Sequence, residues 1–133
     1  MRRRGMRSGR RQVARIVVCD DTRDILELIR FILEKEGYSV GTAESGAELL
    51  DQLRREPADL LLLDLRMPGM DGFAVLEEMA KLRRHPPVLV LSAKGEESDR
   101  RSALEAGALD YIEKPFSLAR LLAAVKSRLP SRG

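Results

Sequence analysis

At 133 residues, 44% of them hydrophobic and 34% charged, the chain has the length and balance of one globular domain, which argues against a multidomain protein and an intrinsically disordered chain. The formal charge of +3 is unevenly placed: six of the 24 basic residues lie in residues 1–12, which hold no acid, leaving 18 against 21 acidic residues in a body of net charge −3. That body carries no cationic excess from which to infer a nucleic-acid surface. Its longest apolar runs, such as Leu60–Leu63, fall far short of the roughly 20 residues that cross a bilayer.

The Arg-rich start, MRRRGMRSGRRQ, reads as a disordered polar tail over 1–13. It lacks the apolar stretch of a secretory signal and the pattern of a transit peptide, so a cytoplasmic location is expected. From residue 14, five short apolar runs alternate with five segments of helical period. Ile16–Cys19 predicts the first strand, and lone Cys19 falls inside that run as a core residue. A helix follows with Ile25, Leu28, Ile29, Ile32 and Leu33 on its inner face, ending at Gly37. Ser39–Ala43 is the second strand candidate, and Ser45 with Glu48 forms a capping box opening a helix that ends before Pro57. Leu60–Leu63, Val88–Leu91 and Leu109–Ile112 predict the remaining strands, separated by helices over about Phe73–Leu82 and Ser98–Ala106. A last helix carries Leu118, Leu121, Leu122, Val125 and Leu129 on one stripe, and 130–133 reads as a flexible end.

Five strand and helix units in so short a chain predict an α/β doubly wound sandwich: a parallel sheet with right-handed crossovers and helices on both faces. A closed eight-unit barrel is too long for this chain. In open sheets of this kind ligands bind outside the carboxyl ends of the strands. The polar residues at those ends are therefore the candidates for chemistry.

They are Asp20 and Asp21 after the first strand, Asp64 after the third, Ser92 after the fourth and Lys114 after the fifth. Each has a bland reading taken singly: Asp21 and Ser92 could cap the helices that follow, and Lys114 could be a surface charge. Asp64 resists that reading, since it follows four leucines and precedes the loop Met67-Pro68-Gly69-Met70-Asp71-Gly72 instead of an immediate helix. Three converging carboxylates repel one another, so the site must bind protons or a cation. All-oxygen donors, in a chain with one His (His85) and one Cys, favour Mg²⁺ over zinc. Such an ion keeps coordination positions for phosphoryl oxygens, with Lys114 as a fixed positive charge and Ser92 as a hydrogen-bond donor, which is equipment for phosphoryl transfer to a carboxylate.

In these pieces, Asp20-Asp21 after VVC, LLLDLRMPGMDG around Asp64, LSA at Ser92 and AGALDYIEKPF around Lys114, the chain resembles the receiver domain of two-component response regulators over residues 15 to 128. The resemblance implies a (βα)5 fold with strand order 2-1-3-4-5. It also implies that Asp64 accepts a phosphoryl group from the phosphohistidine of a sensor histidine kinase or histidine phosphotransfer protein. Mg²⁺ would be bound directly by Asp21, Asp64 and the backbone carbonyl of Arg66, with Asp20 acting through water. Ser92 and Lys114 would contact the phosphoryl oxygens, and Pro115 would follow a cis bond. Ser92 and Tyr111 would form the switch that remodels the face of helix four, strand five and helix five for an unidentified downstream protein.

The resemblance predicts a receiver over 14–129 that is a phosphoacceptor and not an enzyme acting on other substrates. SAKGEESDR and KPFSLARLLAAVKSRL resemble receivers that precede a winged-helix DNA-binding domain, so a fragment of a larger DNA-binding regulator, or a phosphorelay intermediate, stands as the alternative to a stand-alone receiver. Ala124 sits where that subfamily carries a basic residue, which weakens the case for its salt-bridged dimer and makes a monomer or weak dimer the expectation. Arg66 and Lys94, each two residues past a site residue, are expected to tune dephosphorylation. A Mg²⁺-dependent hydrolase with an aspartyl nucleophile would need a substrate-enclosing cap and a second acid beside Asp64, and neither is visible. A flavin-binding reading lacks a Ser/Thr-rich phosphate loop after the first strand. DNA binding through the Arg-rich tail would be marked by salt dependence.

Overall fold

A computed structural model describes residues 13–67, 69, 71–82, 85–93 and 95–129. Leu60–Asp64 forms the central strand, and its residues alternate between two cores because successive side chains leave a strand on opposite faces. Leu61 and Leu63 enter a cluster with Val17, Cys19, Val75 and Val90, whereas Leu60 and Leu62 enter one with Ile16, Val18, Ile29 and Val125. Both faces of this strand are covered, which is why it reads as unbroken leucine.

The chain runs β1 (Arg15–Cys19), α1 (Arg23–Lys35), β2 (Ser39–Ala43), α2 (Gly46–Arg55), β3 (Leu60–Asp64), α3 (Gly72–Met79), β4 (Val88–Ala93), α4 (Glu97–Glu105), β5 (Asp110–Lys114) and α5 (Leu118–Arg128). All neighbouring strands pair in parallel in the order β2-β1-β3-β4-β5. Residues of α1 and α5 pack into one core, and residues of α2, α3 and α4 into the other. Among the described residues no helix is long and apolar enough to cross a membrane.

Several local expectations shift. In α1 the buried stripe is Leu26, Ile29 and Leu33, while Leu28 is 49% exposed. Apolar residues occupy so much of this helix, including Phe31 at 62% exposure, that period alone does not fix which row faces the sheet. In α2, Ser45 accepts from the Glu48 amide at 3.2 Å, but the Glu48 carboxylate accepts from the amide of Glu44, one residue before the cap, at 2.7 Å. Helix α3 stops at Met79, because Lys81 and Leu82 donate three residues back in a tightened final turn. The fifth strand begins after Leu109, which is exposed, and extends to Lys114. On α5, Leu118 is 54% exposed, and Ala124 lies in the core beside Leu121 and Val125. The expected tail falls outside the described residues except for exposed Val13, as does 130–133.

Candidate functional site at the carboxyl edge of the sheet

Parallel pairing brings the polar strand ends to one rim. Asp64 is the last residue of β3 and pairs with Leu91, so Ser92 stands one step beyond it on β4; Ala93 then pairs with Lys114, the last residue of β5. Asp20 and Asp21 follow β1 on the other side of β3. Oxygens of Asp20, Asp21 and Asp64 lie within 4.8 Å of one another.

Burial and partners differ among the three. Asp20 is fully buried; its Oδ1 accepts from the Thr22 amide at 2.8 Å, and its Oδ2 accepts from Lys114 Nζ at 2.8 Å. Asp64 is also buried; its Oδ1 accepts from the Arg66 amide at 3.2 Å, and its Oδ2 lies 3.6 Å from Lys114 Nζ. Asp21 is exposed at the mouth. Burial, and after it the charge of Asp20, pushes the Asp64 carboxyl up to about 6 from its ordinary 3.8, against the lowering effects of Lys114 and the Arg66 amide. Three carboxylates and one ammonium leave two negative charges uncompensated when all are ionised, a balance that suits a divalent cation held by hard oxygen donors.

Ser92 is only 3% exposed, and its Oγ has no hydrogen-bond partner among the described residues. A buried hydroxyl without a partner is uncommon, and here it sits at the same rim as the acidic cluster. The capping alternatives fail: α1 is capped at Thr22 with no side-chain bond, and α4 at Glu96, so neither Asp21 nor Ser92 serves as an N-cap. The Lys114–Pro115 bond is cis.

The loop after Asp64 turns back on itself at Gly72. The Gly72 amide donates to the Leu65 carbonyl at 2.9 Å, and a Cβ there would lie 2.7 Å from both the Asp64 carbonyl oxygen and Leu65 Cα. Asp71 then caps α3 through the Ala74 amide at 3.0 Å. The need for glycine at 72 was hidden in the MPGMDG loop, which signals a turn without saying which residue approaches backbone.

Tyr111 is half-buried on β5, with the Arg100 guanidinium over its ring at 4.6 Å from the centroid. Arg100 also pairs with Glu97 at 2.6 Å and Glu113 at 3.2 Å. Arg66 turns outward and forks onto Asp99 of α4, Nε to Oδ2 at 2.8 Å and a terminal nitrogen to Oδ1 at 2.7 Å. The structure thus joins Arg66 and Tyr111 to α4 through Asp99 and Arg100, neither of which the sequence singled out. Lys94 lies outside the described residues. A cavity of about 250 Å³ lined by Leu76, Met79, His85, Pro86 and Leu109 opens at the opposite rim, where β4 begins, away from the carboxylates.

Comparison with known proteins decides the family. Residues 16–126 match the model of the response regulator receiver domain. The chain belongs to the response regulator receiver domain family. This receiver is similar to a response regulator receiver domain protein from Clostridium thermocellum, at 32% identity over 88% of this chain and 94% of that one, with a TM-score of 0.81. It is similar to NtrX from Brucella abortus, at 35% identity and TM-score 0.83, covering 88% of this chain and 27% of NtrX. It is also similar to the chemotaxis protein CheY4 from Vibrio cholerae, at 27% identity and TM-score 0.81, over 88% of this chain and 99% of that one. Receiver domains are phosphoacceptor signalling domains of two-component systems and interact with histidine kinases or phosphotransfer proteins.

Proposed function

We propose that this receiver is a phosphorylation switch in which Asp64 takes a phosphoryl group from a phosphohistidine of a sensor kinase or phosphotransfer protein. The observation that carries the reading is the meeting of Asp20, Asp21 and Asp64 within 4.8 Å beside the Lys114 ammonium and the unpartnered Ser92 hydroxyl. An Asp64 oxygen attacks phosphorus, the P–N bond breaks, and imidazole leaves with its electron pair and takes up a proton. Lys114 neutralises charge on the transferred oxygens, and Ser92 donates its hydroxyl proton to one of them. Mg²⁺ fits the all-oxygen donor set: Asp21, Asp64 and the Arg66 carbonyl would hold it directly and Asp20 through water. When bound it neutralises negative charge on carboxylate and phosphoryl oxygens.

The readout we assign to Ser92 and Tyr111. Ser92 engages the phosphoryl group, Tyr111 turns inward, and the face of α4, β5 and α5 changes for a downstream protein. Phosphorylation shifts a two-state equilibrium and acts on no other substrate. We assign the receiver to residues 14–129, in a cytoplasmic monomer or weak dimer. Similarity to 27% of NtrX supports a second reading, an input module of a larger regulator, which a longer reading frame around this sequence would establish.

The test is intact mass after incubation with Mg²⁺ and acetyl phosphate. One added phosphoryl group on the parent, absent in Asp64→Ala and after metal chelation, is expected. Stoichiometric labelling that survives Asp64→Ala overturns the assignment.

A further inference from the structure

Helix α4 is held to the body in an unusual way. Of its nine residues the only apolar one that is buried is Ala103; the other buried ones are Asp99 and Arg100. Its N-terminus has no side-chain cap, and the local tie within its first turn is the Arg100–Glu97 pair at 2.6 Å. What ties that turn to the phosphoacceptor side is the fork between Asp99 and Arg66, and Arg66 stands two residues from Asp64 with its amide already on the Asp64 carboxylate. The Arg66 side chain is 60% exposed and can swing on its methylene stem.

Resting on the reading of Asp64 as phosphoacceptor, we propose that Asp99 is a positioning residue that holds the Arg66 guanidinium in reserve, and that Arg66 exchanges Asp99 for the phosphoryl oxygens when Asp64 is modified, releasing the first turn of α4. A phosphoryl group brings close to two negative charges and three acceptor oxygens within reach of a guanidinium whose planar fork matches them as well as it matches a carboxylate. Asp99 then loses its bidentate partner while still mostly buried, and the first turn, with no cap of its own, opens. Binding at Asp64 and attachment of α4 are therefore linked reciprocally: whatever weakens the fork while leaving the Arg66 guanidinium in place strengthens phosphoryl binding. The wiring is separate from Tyr111, because Arg100 grips Tyr111 and Glu113 from the next position of the helix.

The test uses the whole chain with Mg²⁺ and beryllofluoride, a phosphoryl mimic, read by hydrogen exchange of the amides in 97–101 and by titration. In the parent, exchange there is expected to speed up severalfold on binding. In Arg66→Gln it is expected to be fast already without the mimic and to change little with it. Asp99→Asn is expected to bind beryllofluoride more tightly by roughly five- to tenfold, the lower end of coupling between two sites. Should Asp99→Asn fold poorly, Arg66→Gln, whose altered side chain is mostly exposed, carries the test alone. Unchanged α4 exchange in a parent that binds the mimic, or parent-like protection in free Arg66→Gln, overturns the latch alone. A parent that fails to bind the mimic overturns the phosphoacceptor reading and the latch with it.

Discussion

The Lys114 ammonium donates to Asp20 Oδ2 at 2.8 Å, joining two residues 94 positions apart and tying β5 to β1 across the two strands that separate them. Asp20 has no exposed surface, so its charge is compensated within the protein, by this ammonium and by the Thr22 amide.

Lys114→Ala is therefore expected to lower stability at neutral pH even before any effect on signalling. Removing one partner of a buried pair leaves the other uncompensated, and about 2 to 4 kcal/mol is expected, at the lower end because a quarter of the lysine side chain is exposed. Urea unfolding in the presence of a chelator measures it. Saturating Mg²⁺ should restore part of the loss, since another cation then faces the carboxylates; no recovery would mean that the cluster does not bind the ion.

Asp64 gives a pH dependence of opposite sense to an ordinary ion-paired acid. Its carboxyl is pushed up to about 6 from 3.8, so between those values the folded chain keeps a proton that the unfolded chain has released. Stability falls as pH rises through that window, and the penalty is complete above it. Asp64→Asn is expected to be more stable than the parent by about 2 kcal/mol in metal-free buffer at pH 7.5, with the gain fading as pH falls from about 6 towards 4 and absent below that. Urea unfolding at several pH values checks this; a gain that persists undiminished in acid would place its origin elsewhere.

The strand ends were legible because buried parallel strands announce themselves as apolar runs, and the residue after each run must fall at one rim. Asp20, Asp64 and Ser92 could be collected that way without knowing any contact, while Lys114 stands two residues past its run because β5 extends to it. The Arg66–Asp99 fork could not, because two side chains 33 positions apart on a loop and a polar helix share no period. Of the residues expected on the inner face of α1, Ile25, Ile29, Ile32 and Leu33 do pack on the core, and Leu28 gives way to Leu26 for a related reason: with seven apolar residues between Ile25 and Leu33, the sequence permits more than one row to face the sheet. Leu118 continues the α5 stripe in sequence, yet as the first residue of that helix it has a free flank and is exposed.

Gly72→Ala tests the shape of the loop after Asp64. The added methyl would meet the Asp64 carbonyl oxygen and Leu65 Cα at 2.7 Å, both backbone atoms that no rotamer change can move aside. A loss of roughly 1 to 3 kcal/mol is expected. Because the strained residues include Asp64 itself, labelling by acetyl phosphate should fall more than folded fraction does. Parent-like labelling per folded molecule would show that the loop absorbs the methyl without moving the carboxylate.

Cys19 sits one residue before Asp20, on the core side of the same strand end, and is fully buried. Burial first, then the charges of Asp20 and Asp64, pushes its thiol up to about 12. At pH 8 only about one molecule in ten thousand would carry the reactive thiolate, and that sulfur is shielded. Its Sγ also lies 3.5 Å from the Ser45 carbonyl and 3.7 Å from Met67 Sδ, a packed setting with no opening to solvent. The folded protein is therefore expected to resist Ellman's reagent at pH 8 and to react fully in denaturant. Labelling of the native state should then follow opening of the core, so its rate should rise in Lys114→Ala, which weakens the rim above it, and fall in Asp64→Asn. Rapid labelling of the parent without denaturant would mean that the end of β1 opens far more easily than its packing implies.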